Sequence, residues 1–358
     1  MTLTEEDYNI LKLIRSESVG SATFQKLIAF FGNATSAIKN IDLFKTRKQI
    51  VLASDNDIKT EIEETEKYGA KILTYTTTEY PQSLKAITDF PPVIIAIGNT
   101  ELLSKKAIAI IGARNASANG CNFAKKIAKE VGLNNYVIVS GMATGIDTSA
   151  HWGSLETGTI AVLGGGIDNI YPKENQSLYE NIRDKGCIIT EIPIHSPPKA
   201  ENFPARNRII TALSLGVVVI EAAYKSGTIN TVRLGTEQGK EIMVMPGNPY
   251  DPRCEGSNAL IRDGAMVVLS SDDILYNIDN NYKPKQEIIK NEVKEEIEVF
   301  DDKNPNAIIL DKLNYTPIEI EILAEELKMN VNVLSSCITE LELEGKIVVE
   351  FGKIRKNL

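Results

Sequence analysis

Apolar residues recur along the chain in two rhythms, and the change of rhythm marks its parts. Over residues 1–71 they fall at helical spacing, as in "YNILKLIRSESVGSATFQKLIAFFG", on either side of a Val19-Gly20 turn. Helix, glycine turn, helix is the outline of a helix-hairpin-helix or SAM-like unit. It is either a helical cap for the next domain or a turn whose amides meet a phosphate. Over 72–278 the rhythm becomes short β-branched runs between helical stretches, with strands expected at 93–98, 107–113, 136–141, 159–164, 187–193, 216–222 and 241–247. Near-continuous apolar strands separated by helices predict a parallel sheet covered on both faces, an α/β, Rossmann-like, doubly wound domain. Residues 279–311 are charged and poor in aromatics, which predicts a solvated linker. Residues 312–358 return to helix, turn, helix, a stop at Gly345 and alternating strand positions, the order of a winged helix.

In doubly wound sheets ligands bind outside the carboxyl ends of the strands. The stretches "IIGARNASANG", "VSGMATGID", "VLGGGIDNIYP", "EAAYKSGTINT" and "VMPGNP" each set glycine just after a strand, where backbone N–H groups can approach an oxyanion. Together they predict an anion-binding rim containing Gly112, Ser140, Gly141, Gly145, Gly164, Gly165, Ser226, Gly227 and Thr228. Arg114 follows the second strand and Lys173 the third glycine cluster, both at that edge, while Lys240 precedes strand 241–247 at the opposite, amino edge. The stretch "NFPARNRIITALS" predicts a helix with Pro204 at its first position and Arg206, Asn207 and Arg208 in its first turn. A cation there loses roughly 0.3–1 kcal/mol against the helix dipole, so negative charge is expected nearby. Glu191 and Glu221 at strand ends could supply it, or an external anion. Two residues apart on a helix, the arginines do not share a face. One is expected to pair with a strand-end glutamate and the other to face the bound anion, and the sequence leaves open which does which. Phe203 either stacks a base or staples the helix to the core.

Net charge is −9, which argues against a nucleic-acid partner, yet most of the excess acid lies in the flanking segments and the middle of the chain is near neutrality. No apolar run approaches a membrane span and the N-terminal stretch is acidic, so a cytoplasmic protein is expected. Cys121, Cys187, Cys254 and Cys337 are far apart and only His151 and His195 are present, so no metal site, disulfide framework, cofactor or imidazole-based catalytic centre is expected. His151, beside Trp152 in an expected helix, reads as a hydrogen-bonded structural histidine, and Asp147 as a capping residue.

The blocks "GARNASANG", "SGMATGIDTSAH", "GTIAVLGGGIDNIYPKEN", "FPARNRIITALS", "VIEAAYKSGTINT" and "MPGNP" followed by "GSNALIRDGA" resemble, in order, those of the bacterial DNA-processing protein A family, also called Smf. The flanking helical and winged-helix-like segments resemble that family's too. The resemblance implies a non-catalytic single-stranded DNA binder of natural transformation and recombination. Such proteins protect incoming strands, form homodimers through the Rossmann-like domain and help load the RecA recombinase. It also implies DNA contacts at Arg114 and, at a position where the family carries a basic residue, Lys240, and a dimer-forming block around Leu260, Ile261 and Met266. Two departures touch strand affinity: Asn119-Gly120 stands where the family usually has Tyr-Gly, and Thr144 where it often has a basic residue.

An alternative is an enzyme similar to nucleoside-monophosphate phosphoribohydrolases, whose P-G-G-x-G-T-x-x-E block carries a working glutamate. Here Thr231 of "YKSGTINTVR" takes that place. A dinucleotide oxidoreductase lacks the later fingerprint glycines in "IGARNASANG". A DNA-independent adaptor is the third reading. Glu340, Glu342 and Glu344 on the last helix suit a protein-contact or regulatory role better than DNA-groove reading.

Overall fold

The computed structural model describes residues 3–45, 49–279, 282, 305–313, 317–327, 329, 331–350 and 352–357. The chain forms two compact units, Met1–Pro284 and Lys285–Leu358.

The first unit opens with α1 (Glu5–Arg15), α2 (Ser21–Phe31), α3 (Ala34–Lys39) and α4 (Asp55–Lys67). Thr4 and Asp7 close a reciprocal capping box on α1. Ile10, Leu11, Leu13, Phe24, Leu27 and Ile58 form the core of this helical part. Then come β1 (Lys71–Thr74), β2 (Val93–Gly98), β3 (Ala107–Gly112), α5 (Ala118–Leu133), β4 (Val137–Ser140), α6 (Ile146–Ser154), β5 (Thr159–Val162), α7 (Gln176–Lys185) and β6 (Cys187–Thr190). The unit continues with α8 (Asn202–Leu213), β7 (Gly216–Ile220), α9 (Gly227–Glu237), β8 (Glu241–Val244), α10 (Glu255–Arg262), β9 (Met266–Val267) and α11 (Ser271–Ile278).

These strands make one nine-stranded sheet in the order β1-β2-β6-β5-β4-β3-β7-β8-β9. From β6 to β9 every pairing is parallel, as the alternation of strands and helices predicts. β2 differs: it runs antiparallel to both β1 and β6. The sheet is therefore mostly parallel, and strand order reverses between β3 and β7, the switch point of a doubly wound fold. Alternate residues of β3 feed opposite cores. Ile108 and Ile110 pack with Ile127, Val131 and Ile146 of α5 and α6, while Ala109 and Ile111 pack with Ile209, Leu213 and Val232 of α8 and α9. Each such buried isoleucine or leucine contributes about 1.5–3 kcal/mol.

Helix α8 starts at Asn202, two residues before the expected Pro204, so Arg206 and Arg208 stand beyond the first turn, where the dipole penalty fades.

The second unit holds α12 (Pro305–Lys312), β10 (Ile318–Glu319), α13 (Ile320–Leu327), α14 (Val331–Leu343), β11 (Ile347–Glu350) and β12 (Lys353–Lys356), with an antiparallel sheet ordered β10-β12-β11. α12 lies within the stretch expected as linker. Burial of its Ile309 against Leu334, Leu341 and Ile347 explains why it folds. Residues 280–281 and 283–304 of that stretch lie outside the described residues. Among the described residues no helix is long and apolar enough to cross a membrane.

Candidate nucleic-acid interface

β3, β4, β5, β7 and β8 are parallel, so the turns that follow them lie along one edge of the sheet. At the switch point Gly112 presses against the carbonyl of Ile220 and leaves no room for a Cβ. Thr228, in the first turn of α9, donates its hydroxyl proton to the Gly112 carbonyl at 3.0 Å. Glu221 follows β7, and its carboxylate accepts the Ser117 N–H at 2.8 Å and the Ser117 hydroxyl, holding the start of α5.

Beside the switch point, beyond β3, β4 and β5, opens a pocket of about 460 Å³ lined by Arg114, Gly141, Thr144, Tyr171, Lys173, Phe203 and Arg206, among others. The Arg114 guanidinium carbon lies 5.7 Å from the Phe203 ring centroid, and the Tyr171 and Phe203 rings are 5.4 Å apart at 45°. Arg114, Lys173 and Tyr171 are exposed. Among the described residues no salt bridge engages Arg114 or Lys173. Glu174 also lines the pocket, so the cations outnumber the carboxylates there.

Arg206 forms the floor. It is only 5% exposed, and its Nη1 donates to the carbonyls of Gly141, at 2.6 Å, and Val162. Burial pulls its pKa down to about 10; nearby Asp147 opposes that shift and Arg114 adds to it. Asp147 is buried too, which raises its pKa, with the Arg206 charge working against the rise. Its Oδ2 accepts the backbone N–H groups of Gly141 at 3.1 Å and Ala143 at 3.3 Å. Asp147 thus braces the loop before its own helix and does not cap it: the N-cap of α6 is Gly145, with no side-chain cap. Behind it, His151 Nδ1 shares a hydrogen bond of 2.7 Å with the Thr159 hydroxyl, which also lies 3.2 Å from the Ile138 carbonyl. Burial, reinforced by the Arg206 charge, pushes His151 down to about 3.

Arg208 turns the other way. It is 7% exposed and grips Glu191 with Nη1 to Oε1 at 3.0 Å and Nη2 to Oε2 at 2.7 Å, while Nε donates to Asp89 at 3.0 Å. Nη2 also reaches the Ser21 hydroxyl of α2 at 3.4 Å. Arg208 is thus the arginine paired with a strand-end glutamate, and Arg206 the one at the pocket.

The other residues singled out in the sequence stand around this floor or apart from it. Ser140 is fully buried, its hydroxyl on the Ile110 carbonyl at 2.6 Å. Gly145, with φ +78°, lets the chain pass so close that a Cβ would lie 2.6 Å from the Arg114 carbonyl. Gly164 lies against the Phe203 ring, Gly165 against Pro198, and the Asn207 Oδ1 accepts Arg206 Nε at 3.2 Å. Ser226 and Gly227 begin α9 across the switch point, with the Ser226 hydroxyl unpartnered. Lys240 lies at the amino edge, where burial lowers its pKa. Leu260 and Ile261 pack partly against the core, whereas Met266 on edge strand β9 is 43% exposed.

Of the expected rim the Gly141 N–H is spent inside the protein, on Asp147, and so are several amides next to the rim. Besides Gly141 and Ala143, the N–H groups of Ala113, Leu163, Gly166 and Gly247 donate to Ile220, Ile189, Ser196 and Asn258 respectively. Tyr171 is not among the residues that sequence reasoning picks out; its place after the glycine cluster, two residues before Lys173, is the available signal.

Residues 71–279 match the family model described as DNA recombination-mediator protein A. Residues 4–63 match a DprA-like N-terminal HHH domain and 300–353 a DprA winged helix domain. DNA processing protein DprA of Bacillus subtilis (strain 168) is 39% identical over 209 residues, 58% of this chain and 70% of the relative. DNA processing protein DprA of Streptococcus pneumoniae (strain ATCC BAA-255 / R6) is 40% identical over 199 residues, 55% of this chain and 70% of the relative. The X-ray structure of the Streptococcus pneumoniae protein superposes with a TM-score of 0.66 at 28% identity, covering 78% of this chain and 99% of that one. DNA processing protein A of Helicobacter pylori superposes at 0.55 and 29% identity, covering 60% and 97%. This chain belongs to the DNA recombination-mediator protein A family.

Proposed function

We propose that the chain binds single-stranded DNA, without catalysis, along the carboxyl edge of the sheet. The observation that carries this is the convergence of unpaired Arg114 and Lys173 with the Phe203 and Tyr171 rings over a buried Arg206. Phosphates call for the cations and bases for the rings. The Helicobacter pylori relative, whose single-stranded DNA binding mode has been described structurally, supports the reading. So does α9: Thr231 is buried with its hydroxyl on the Gly227 carbonyl, and no carboxylate stands where a phosphoribohydrolase would need one.

In the cell such a protein would protect incoming strands during natural transformation and recombination in the cytoplasm and help load RecA. It would act as a homodimer, with Met266 on β9 and Leu260 and Ile261 on α10 at the contact. The test is fluorescence anisotropy of a labelled oligo-dT across a salt series, with duplex as control. Single strands should bind preferentially, with log affinity falling by about 0.7 per log unit of salt for each phosphate neutralised, and Arg114→Ala should lower both affinity and slope. Absence of binding at low salt, with release of ribose phosphate from nucleoside monophosphates, would favour the hydrolase instead.

A further inference from the structure

The helical part of the first unit carries aromatic rings that its core does not use. Phe30, at the end of α2, is 64% exposed, and Leu43 beyond α3 is 68% exposed. Phe31 and Phe44 pack partly against the helical core and hold Phe30 between them. The Phe30 ring lies 4.8 Å from Phe31 at 82° and 5.6 Å from Phe44 at 68°. The mounting is rigid. Gly32 turns the chain with φ +87°, and the Glu6 carboxylate accepts the N–H groups of Ala34 at 2.6 Å and Thr35 at 3.1 Å, fixing α3 against α1. A phenylalanine presented this way forgoes the benefit of burial until something covers it.

The charge around the rings indicates what covers them. Within residues 21–45 the ionisable side chains are Lys26, Lys39, Lys45 and the lone acid Asp42, in a chain whose net charge is −9. All three lysines are exposed, and none forms a salt bridge with another described residue. The acid of this part sits on α1, with Glu5, Glu6 and Asp7, on Glu17 after it, and on α4, with Asp55, Asp57, Glu61, Glu63, Glu64 and Glu66. Exposed rings among unpaired cations suit a nucleic acid's stacked bases and phosphates, and the same lysines would repel a basic protein segment.

Position adds a third argument. The Ser21 hydroxyl, at the start of α2, lies 3.4 Å from Arg208 of α8, the helix that carries Phe203 and Arg206 at the pocket. Phe30 and Phe31 lie nine and ten residues beyond Ser21, roughly 14 to 15 Å along α2 at about 1.5 Å per residue.

We propose that Phe30, backed by Phe31 and Phe44, with Lys26 one helical turn before it and Lys45 next to Phe44 in sequence, is a second base-stacking platform for the same DNA strand that occupies the sheet-edge pocket. This rests on the DNA-binding reading above. It adds that strand affinity grows with length once the strand extends past α8 onto the helical part.

The test is anisotropy with labelled oligo-dT of about 6 and about 25 nucleotides, for wild type, Phe30→Ala, Phe30→Tyr and Arg114→Ala. A further 25-mer is abasic over the half that would reach Phe30, assayed with the label at either end. Phe30→Ala should weaken the long oligomer about 5- to 150-fold, the affinity equivalent of stacking one base. It should leave the short oligomer unchanged. Phe30→Tyr should bind as wild type, and the abasic strand should not distinguish Phe30→Ala from wild type. If Phe30→Ala binds the long oligomer as tightly as wild type while Arg114→Ala weakens it, the platform is overturned and the sheet-edge reading stands. If wild type binds neither oligomer, both fall. Equal loss on short and long strands would also overturn the platform, since the effect would not depend on reach.

Discussion

The Arg206 guanidinium occupies the space that any side chain at position 141 would need. Nη1 donates to the Gly141 carbonyl at 2.6 Å and stands 2.5 Å from where a Cβ would be built. Gly141→Ala should therefore push the guanidinium off the Gly141 and Val162 carbonyls and leave a buried cation short of partners. The expected cost is about 2–3 kcal/mol, read as a lower urea midpoint at unchanged m-value. An alanine variant as stable as wild type would show that the pair is dispensable.

Arg208 should behave as a structural residue. Arg208→Lys keeps the charge but not the two-pronged grip on Glu191, and should cost about 1–3 kcal/mol. Arg208→Ala, which strands the Glu191 carboxylate, should cost about 3–5 kcal/mol. Thermal unfolding reads both. For Arg208→Lys, assayed well below its melting temperature, the salt slope of oligo-dT binding should match wild type.

Stability should fall as the solution is acidified. Folded His151 stays neutral because burial and Arg206 push its pKa to about 3, whereas the unfolded histidine titrates near 6.5. Between those values the unfolded chain binds the extra proton, so stability drops with falling pH at up to about 1.4 kcal/mol per unit. The loss begins near pH 6.5 and levels off toward pH 3. Urea midpoints at pH 7.5, 6 and 5 should show this trend in wild type and a shallower one in His151→Asn. Equal slopes in the two proteins would remove His151 as the cause.

Edge strand β9 presents Met266, Val267 and the nearby Leu269 to solvent. Met266→Arg should convert the proposed dimer to monomer in sedimentation velocity while leaving the far-UV circular dichroism spectrum unchanged. A variant that sediments as wild type would exclude this surface from the dimer.

Much of this arrangement is legible in the sequence, and the rest is hidden for identifiable causes. The strands from β3 to β8 announce themselves as apolar runs ending in turn residues. β9, at two residues, is too short to carry a pattern, and β1, "KILT", opens on an exposed lysine and offers only Ile72 and Leu73 as an apolar run. β2, "VIIAIG", reads like its parallel neighbours because hydropathy encodes burial on both faces and not strand direction. That Arg206 and Arg208 diverge is a consequence of helical spacing. Which one meets Glu191 depends on where β6 ends relative to α8, a tertiary relation. The strand-end glycines lie along the edge, but only the folded arrangement shows that the Gly141 amide already has a partner in Asp147.

With the Asp147 carboxylate on the Gly141 and Ala143 amides, the turn after β4 holds an anion of its own. A polymer docking there would be gripped by side chains on pivoting stems and not by a fixed backbone cradle. In the proposed complex Arg114 and Lys173 would follow a phosphate as it moves, and the flat rings would accept any base. Such a grip has no preferred register, so a strand could be drawn across the edge one nucleotide at a time, or handed on from one end, without the sheet rearranging.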